Sequence, residues 1–153
     1  MNEKCLNKLY KYLSRSRTKI EWFHYLEKHE FDIKDINECI NYLEELKYID
    51  DEDYTKSFIQ DKINFNNWGL NKIVSELKKK GIDNFTIDDC LEDYYETSDN
   101  KLKELIIKRI KSKKLDIYNY NDKSKLKTFL YGKGYSISSI DEAIREFIDN
   151  YEE

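Results

Sequence analysis

Residues 68–82 read WGLNKIVSELKKKGI. Ile73 and Leu77 stand four positions apart, a spacing that places apolar side chains on one face of an α-helix. Gly81 follows where helices commonly end in a left-handed residue, a conformation that glycine adopts without a steric penalty. The segment therefore predicts an amphipathic helix that begins near Trp68 and stops at Gly81.

The same pattern occurs three times along the chain, at intervals of roughly 50 residues. Leu26, Leu77 and Leu130 anchor the three copies. Apolar or small residues recur at fixed offsets from each anchor, namely Trp22, Ile73 and Leu126; Ile36, Ile87 and Ile140; and Cys39, Cys90 and Ala143. Because the third copy has alanine where the others have cysteine, we expect Cys39 and Cys90 to be small buried core residues rather than nucleophiles.

This periodicity predicts an all-α protein of three tandem three-helix, helix-turn-helix-like repeats that form an elongated array. The expected repeats are residues 1–49, 50–98 and 99–153. The segment 98–100 carries no apolar side chain and is the expected flexible joint, and a loop is expected from Lys113 to Asp122.

The ends of the helices are predicted from residues that cap them. The second helix of each repeat should begin near Thr18, Trp68 and Lys123. Its left-handed stop should be Glu30, Gly81 and Gly134. The third helix should follow a polar cap, namely Asp32 or Asp35, then Thr86, then Ser136 or Ser138. Asp50 and Asp51 should cap the helix that contains Tyr54.

Two kinds of protein share this helical pattern. A helix, a short turn and a second helix form the unit with which helix-turn-helix proteins read DNA. In a solenoid, each repeat instead buries its apolar stripe on its neighbour. Three tandem three-helix units without a sheet fit the elongated array better.

The composition excludes several classes of protein. The chain has 153 residues, 39% of them apolar and 38% charged, with no proline and only four glycines. Collagen-like and proline-rich classes are excluded, and sandwiches or barrels are disfavoured because their turns need these residues. No run reaches the ~20 apolar residues of a membrane helix, and the N-terminal segment lacks an apolar signal core. Three widely spaced cysteines without a CxxC pair favour a reduced, cytoplasmic protein.

The sequence contains no pattern of catalytic or metal-binding residues. His24 and His29 are five positions apart, whereas a helical metal pair needs a spacing of four. No serine lies in a nucleophile elbow, and no glycine-rich phosphate loop is present. We therefore expect no enzymatic activity, no metal and no cofactor.

The formal net charge is −4, but the two signs are segregated along the chain. Residues 1–19, 62–80 and 101–135 are basic, and the stretches between them are acidic. Segregation predicts a basic face for an acidic partner surface or a nucleic-acid backbone, with solvated helix surface as the alternative. The expected contributors are Arg15, Arg17, Lys72, Lys111, Lys114, Lys125 and Lys127. Trp68 lies outside the apolar register and should pack at a junction between repeats, or else stack on a ligand.

Four segments resemble characteristic blocks of a known family. Residues 15–22 resemble R-x-x-S-x-x-E-L, and residues 46–55 resemble L-x-x-x-D/N-D-x-x-F/Y-A. Residues 68–82 resemble G-x-x-x-I-x-x-E-L-x-x-K-G-I, and residues 127–135 resemble F-L-x-x-R/K-G-F/Y. The family is RecX, whose members regulate the RecA recombinase. The chain departs from its pattern at Thr18, Trp22 and Thr55, where the family has serine, leucine and alanine.

The resemblance implies tandem three-helix repeats in an elongated, curved module. It implies a cytoplasmic protein that binds the RecA filament on single-stranded DNA along its groove. Such proteins usually inhibit the filament's ATPase and strand exchange and so affect recombination, DNA repair and the SOS response. No catalytic residues transfer with the resemblance. Charge segregation, and not the resemblance, leads us to expect the seven basic residues above on the concave surface, where a weak direct DNA contact is also allowed.

Two alternatives remain open at this point. A free-standing helix-turn-helix protein would bind bare duplex DNA with a steep dependence on salt. A purely structural helical adaptor would bind neither the duplex nor the filament. A filament regulator should instead prefer the RecA-coated strand.

Overall fold

A computed structural model gives the fold of the protein and describes residues 1–151. Within that range the chain forms nine α-helices and one 3-10 turn at Glu92–Tyr94, and no β-strand. The helices are α1 (Glu3–Tyr12), α2 (Lys19–Lys28), α3 (Ile33–Glu45), α4 (Asp51–Asn64), α5 (Leu70–Lys79), α6 (Asn84–Leu91), α7 (Tyr95–Lys113), α8 (Tyr120–Gly132) and α9 (Ile137–Tyr151). The predicted all-α fold class is confirmed.

Several predicted caps begin helices in the structure. The Thr18 hydroxyl accepts a hydrogen bond from the Glu21 amide at 3.2 Å, and the Glu21 carboxylate accepts one from the Thr18 amide at 3.0 Å. This reciprocal pair is a capping box, which satisfies two amides that the helix itself leaves free. The Asp50 carboxylate and the Ser136 hydroxyl each accept from the amide three residues further on, at 3.1 Å.

Two predicted helix starts are wrong by a few residues. Thr86 does not cap α6, because the Asp83 carboxylate accepts the Thr86 amide at 2.7 Å and the helix begins at Asn84. Helix α8 begins at Tyr120 rather than near Lys123. In both cases an Asx side chain further upstream, Asp83 or Asn119, captures the amide three residues on and starts the helix earlier.

The predicted flexible joint at 98–100 is also wrong. These residues lie inside α7, and the Ser98 side chain is buried. Ser98 stands four positions before Leu102 and is therefore on the apolar face of the helix. The polarity of three consecutive residues suggested a break, but the register of α7 decides their structure.

All three predicted left-handed stops occur. The φ angle is +65° at Glu30, +82° at Gly81 and +105° at Gly134. Glu30 adopts this conformation with its side chain exposed to solvent. A Cβ on Gly81 would instead lie 2.5 Å from the Ile20 side chain, so this turn needs glycine for space as well as for conformation.

The chain divides into two compact units. Unit 1 comprises Met1–Ser57 and Leu77–Cys90, and unit 2 comprises Phe58–Glu76 and the described chain from Leu91. The second predicted repeat contributes residues to both units. The three repeat boundaries themselves stay a prediction.

Helices α1, α2 and α3 enclose the core of unit 1. Its fully buried side chains include Trp22, Leu26 and Ile36. Cys39 and Cys90 are buried, as predicted. Burial raises the pKa of the Cys39 thiol and raises that of its core neighbour Cys5 to about 12. Protonated thiols of this kind are poor nucleophiles, in agreement with a packing role.

In unit 1 the start of α2 docks on the turn that ends α5. The buried Thr18 hydroxyl donates to the Lys80 carbonyl at 2.7 Å. The Asp51 carboxylate accepts from the Lys19 amide at 2.8 Å, and burial raises the pKa of that carboxyl. The two neighbouring aspartates therefore differ in their contacts, because Asp50 caps α4 and Asp51 binds the backbone amide at the start of α2.

Unit 2 repeats this docking with different helices. The amides of Gly69 and Asn71, at the start of α5, donate to the carbonyls of Lys133 and Gly134 at 2.7 and 3.0 Å. Those carbonyls belong to the turn that ends α8. The core of unit 2 lies around Leu102, Leu105, Ile106, Leu126, Leu130, Tyr135, Ile140, Ala143 and Ile144.

Candidate functional site

The seven predicted basic residues do not lie together in one unit. Arg15 and Arg17 belong to the loop between α1 and α2 in unit 1. The other five belong to unit 2, namely Lys72, Lys111, Lys114, Lys125 and Lys127. Their common role in partner binding stays a prediction, and each group has its own surroundings.

Trp68 organises the first basic cluster of unit 2. The Lys62 and Lys72 ammonium nitrogens lie 4.8 and 4.5 Å from the centroid of its ring. Phe58 packs edge-on against the indole at 6.3 Å between centroids. The backbone amide of Trp68 donates to the Lys62 carbonyl at 3.0 Å, which holds the main chain of Trp68 against the end of α4. Cation–π contacts of this geometry hold lysine charges at defined places on a surface.

A second cluster lies between α7 and α8. The Arg109 guanidinium lies 3.9 Å from the centroid of Phe129. Lys133 approaches the same ring at 5.9 Å and donates to the Asn66 carbonyl at 3.4 Å. Asn66 belongs to the loop that carries Trp68, so Lys133 joins the two clusters. We call Lys62, Trp68, Lys72, Arg109, Phe129 and Lys133 the basic–aromatic patch of unit 2.

Sequence reasoning found only part of this patch. It selected Lys72, and it did not select Lys62, which is separated from Trp68 by the end of a helix. The usable signal was Trp68 itself, an aromatic residue outside the apolar register. In the structure Trp68 packs inside unit 2, and its ring contacts the ammonium groups of Lys62 and Lys72.

Lys111, Lys114 and Lys125 are exposed. Lys111 lies in the last turn of α7, and Lys114 ends that helix in the left-handed conformation with φ of +51°. Lysines at the C-terminal end of a helix complement its dipole. Their exposure also leaves these charges accessible to a partner.

Lys127 differs from the other candidates because its charge is balanced within the protein. Its ammonium nitrogen lies 2.8 Å from a carboxylate oxygen of Asp141. The hydrogen bond from Lys127 lowers the pKa of the Asp141 carboxyl. A partner that used Lys127 would have to compete with this ion pair.

The two arginines of unit 1 lie over a shelf of aromatic rings. The Arg17 guanidinium is 4.9 Å from the ring centroids of both Trp22 and Tyr25. The Arg15 guanidinium is 5.2 Å from the centroid of Tyr12. Tyr25 packs edge-on against both other rings at 5.8 Å, so the shelf is a single cluster.

The described residues contain neither a metal-binding cluster nor a membrane-spanning helix. Among residues 1–151, no group of three or more histidine, cysteine or acidic side chains could hold a metal ion. No helix in that range is long and apolar enough to span a membrane. The described surface carries cations on aromatic rings, and the fold is all-helical with helix-turn-helix-like units.

Comparisons with known proteins identify the family. The model of the second three-helix domain of RecX matches residues 50–91. The regulatory protein RecX of Finegoldia magna is 34% identical over 122 residues, and that of Oceanobacillus iheyensis is 32% identical over 133 residues. These matches cover 78% and 86% of this chain, which spans 60% and 48% of the two relatives' own lengths.

A solved structure matches over nearly the whole chain. The crystal structure of RecX from Lactobacillus salivarius has a TM-score of 0.85 and 32% sequence identity, and the match covers 94% of each chain. A second crystal structure of a regulatory protein RecX has a TM-score of 0.80 at 24% identity, covering 92% of this chain and 71% of that one. The chain belongs to the RecX family of regulatory proteins.

Proposed function

We propose that this protein binds the RecA filament on single-stranded DNA and lowers the filament's ATPase and strand-exchange activity. In this role it would affect homologous recombination, DNA repair and the SOS response. It would act in the cytoplasm, through binding alone, with neither a catalytic step nor a cofactor of its own.

Family membership carries this proposal. A RecX structure is matched over 94% of its length at 32% identity, which supports a role of the same kind for this chain. The names of the relatives describe regulation. Our proposal adds that RecA is the regulated partner and that the effect on its activity is inhibition.

The surface of unit 2 supports a nucleoprotein partner. A filament on DNA presents negative charge from phosphates and from acidic protein side chains. The basic–aromatic patch places four cations on fixed rings and loops, and Lys111, Lys114 and Lys125 add exposed charge. Electrostatic complementarity of this kind speeds association and selects the partner.

A titration of the cognate RecA's ATPase on single-stranded DNA tests the proposal. We expect the rate to fall when the protein is added at a small fraction of the RecA concentration. A DNA-dependent helicase ATPase on the same strand is the control, because sequestration of DNA would slow both enzymes. An unchanged RecA rate would refute the proposal, and a higher rate would keep RecA as the partner but reverse the direction.

A further inference from the structure

A pocket of about 210 Å³ in unit 1 lies beside the loop that joins α1 and α2. Its charged lining residues are Arg15, Arg17 and Lys47, together with Asp50 and Asp53 at the start of α4. The volume suits one or two side chains of a partner rather than a whole helix. The pocket therefore has the size and the two charges needed to hold a short stretch of polypeptide.

Both arginines are held in place before a ligand arrives. Arg17 lies over Trp22, which is 2% exposed and fixed in the core, and over Tyr25. Arg15 lies over Tyr12. A guanidinium that stacks on a ring keeps its N–H edge available for a carboxylate, so little conformational entropy is lost on binding.

Within residues 1–151, no carboxylate forms an ion pair with Arg15 or Arg17, although Asp50 and Asp53 line the same pocket. Other cations of unit 1, such as Lys19 and Lys80, do have such partners, Glu44 and Glu21. Two arginines that line one pocket, lie over aromatic rings and form no ion pair make a receptor for an oxyanion.

The two aspartates of the lining decide which kind of anion fits. The Asp50 carboxylate is fixed on the first turn of α4, where it accepts the Asp53 amide at 3.1 Å. A nucleic-acid strand carries a phosphate on every nucleotide, and successive phosphates would have to pass these carboxylates. A peptide with one acidic residue beside a basic one matches both signs of charge, since its carboxylate can bind the arginines and its cation can bind Asp53.

We infer that this pocket binds a segment of a partner protein in which a glutamate or aspartate stands next to a lysine or arginine. The N–H edges of Arg15 and Arg17 bind the partner carboxylate, and Asp53 binds the neighbouring cation. The identity of that partner as the protein component of the filament rests on the function proposed above. The preference of the pocket for a peptide over a nucleic acid does not rest on that function.

Side-chain NMR tests the chemistry of the pocket directly. The chain has four arginines, Arg15, Arg17, Arg109 and Arg145, and single Arg→Lys variants would assign their Nε–Hε resonances. The probes are the peptide acetyl-Gly-Glu-Lys-Gly-amide, the same peptide with Gln for Glu, and a thymidine oligonucleotide. We expect the Glu peptide at millimolar concentration to shift the Arg15 and Arg17 resonances, with Arg145 as the internal control.

Three results would overturn the inference. One is an oligonucleotide that shifts Arg15 and Arg17 more than the Glu peptide does. The others are a Gln peptide that matches the Glu peptide and a Glu peptide that leaves both resonances unmoved. In the first case, we would conclude that the pocket binds a nucleic acid rather than a peptide.

A second measurement separates this inference from the proposed function. The double variant Arg15→Lys/Arg17→Lys keeps both charges but loses the planar forks, and its affinity for the cognate RecA filament should fall about tenfold. If the wild type binds the filament and the double variant binds equally well, the pocket is not the contact and the function stands. If the wild type does not bind the filament, the function fails, and the peptide titration alone decides the pocket.

Discussion

Replacing Gly69 by alanine should lower the free energy of unfolding by about 3 kcal/mol. The new Cβ would lie 2.3 Å from the Gly134 carbonyl carbon and 2.4 Å from the Tyr135 amide nitrogen. Both are backbone atoms, so no side-chain rotation can relieve the overlap. The start of α5 would have to move away from the turn after α8, which would also break the 2.7 Å hydrogen bond from the Gly69 amide to Lys133.

Gly132→Ala is the matched control for this variant. Gly132 is the last residue of α8, and a Cβ there would meet no atom within 4 Å. Alanine in a helix is favoured over glycine by up to about 1 kcal/mol. Urea unfolding followed by circular dichroism should therefore show a lower midpoint for Gly69→Ala and an equal or higher one for Gly132→Ala. Equal midpoints for the two variants would contradict the close approach of these two turns.

Reversing the charge of Lys111, Lys114 and Lys125 together, as Lys→Glu, should abolish binding to the RecA filament. The three side chains are exposed, so the change acts on a partner far more than on the core. Lys111 lies in the last turn of a helix, where loss of a cation costs about 0.3–1 kcal/mol. The melting temperature should accordingly move by only a few degrees.

The control for charge reversal is a second triple variant with the same net charge. Lys4, Lys28 and Lys34 are exposed lysines of unit 1, and their replacement by glutamate should leave filament binding close to that of the wild type. Cosedimentation with RecA-coated single-stranded DNA compares the two. Unchanged binding of the Lys111, Lys114 and Lys125 variant would remove these residues from the interface. Equal loss in both variants would show that net charge alone matters.

The fold could be predicted because its repeat depends on residues that lie close together in the sequence. Anchors such as Leu26, Leu77 and Leu130 are buried in the structure, and the glycines after two of them adopt the predicted left-handed conformation. Helix spacing and capping depend on residues three or four positions apart, which a single sequence displays. The error at Ser98 arose where local polarity and helix register disagreed, and the register prevailed.

The candidate site was less accessible to sequence reasoning, because it depends on contacts between distant segments. The ion pair of Lys127 with Asp141 joins two helices, and its geometry depends on how each helix is rotated. The contact of Lys62 with Trp68 crosses the end of α4. Charge segregation predicted that basic residues would be exposed, but it carried no information on which of them rest on aromatic rings.

Binding to RecA-coated and bare DNA tests the central claim most directly. The protein would be sedimented at physiological salt with RecA filaments on single-stranded DNA, with the bare strand and with bare duplex. We expect recovery in the pellet with the filament and little with either bare DNA. Equal or stronger recovery with bare duplex, weakening steeply with salt, would contradict filament regulation and favour a free-standing DNA-binding protein. No recovery with any of the three would leave only a structural helical adaptor.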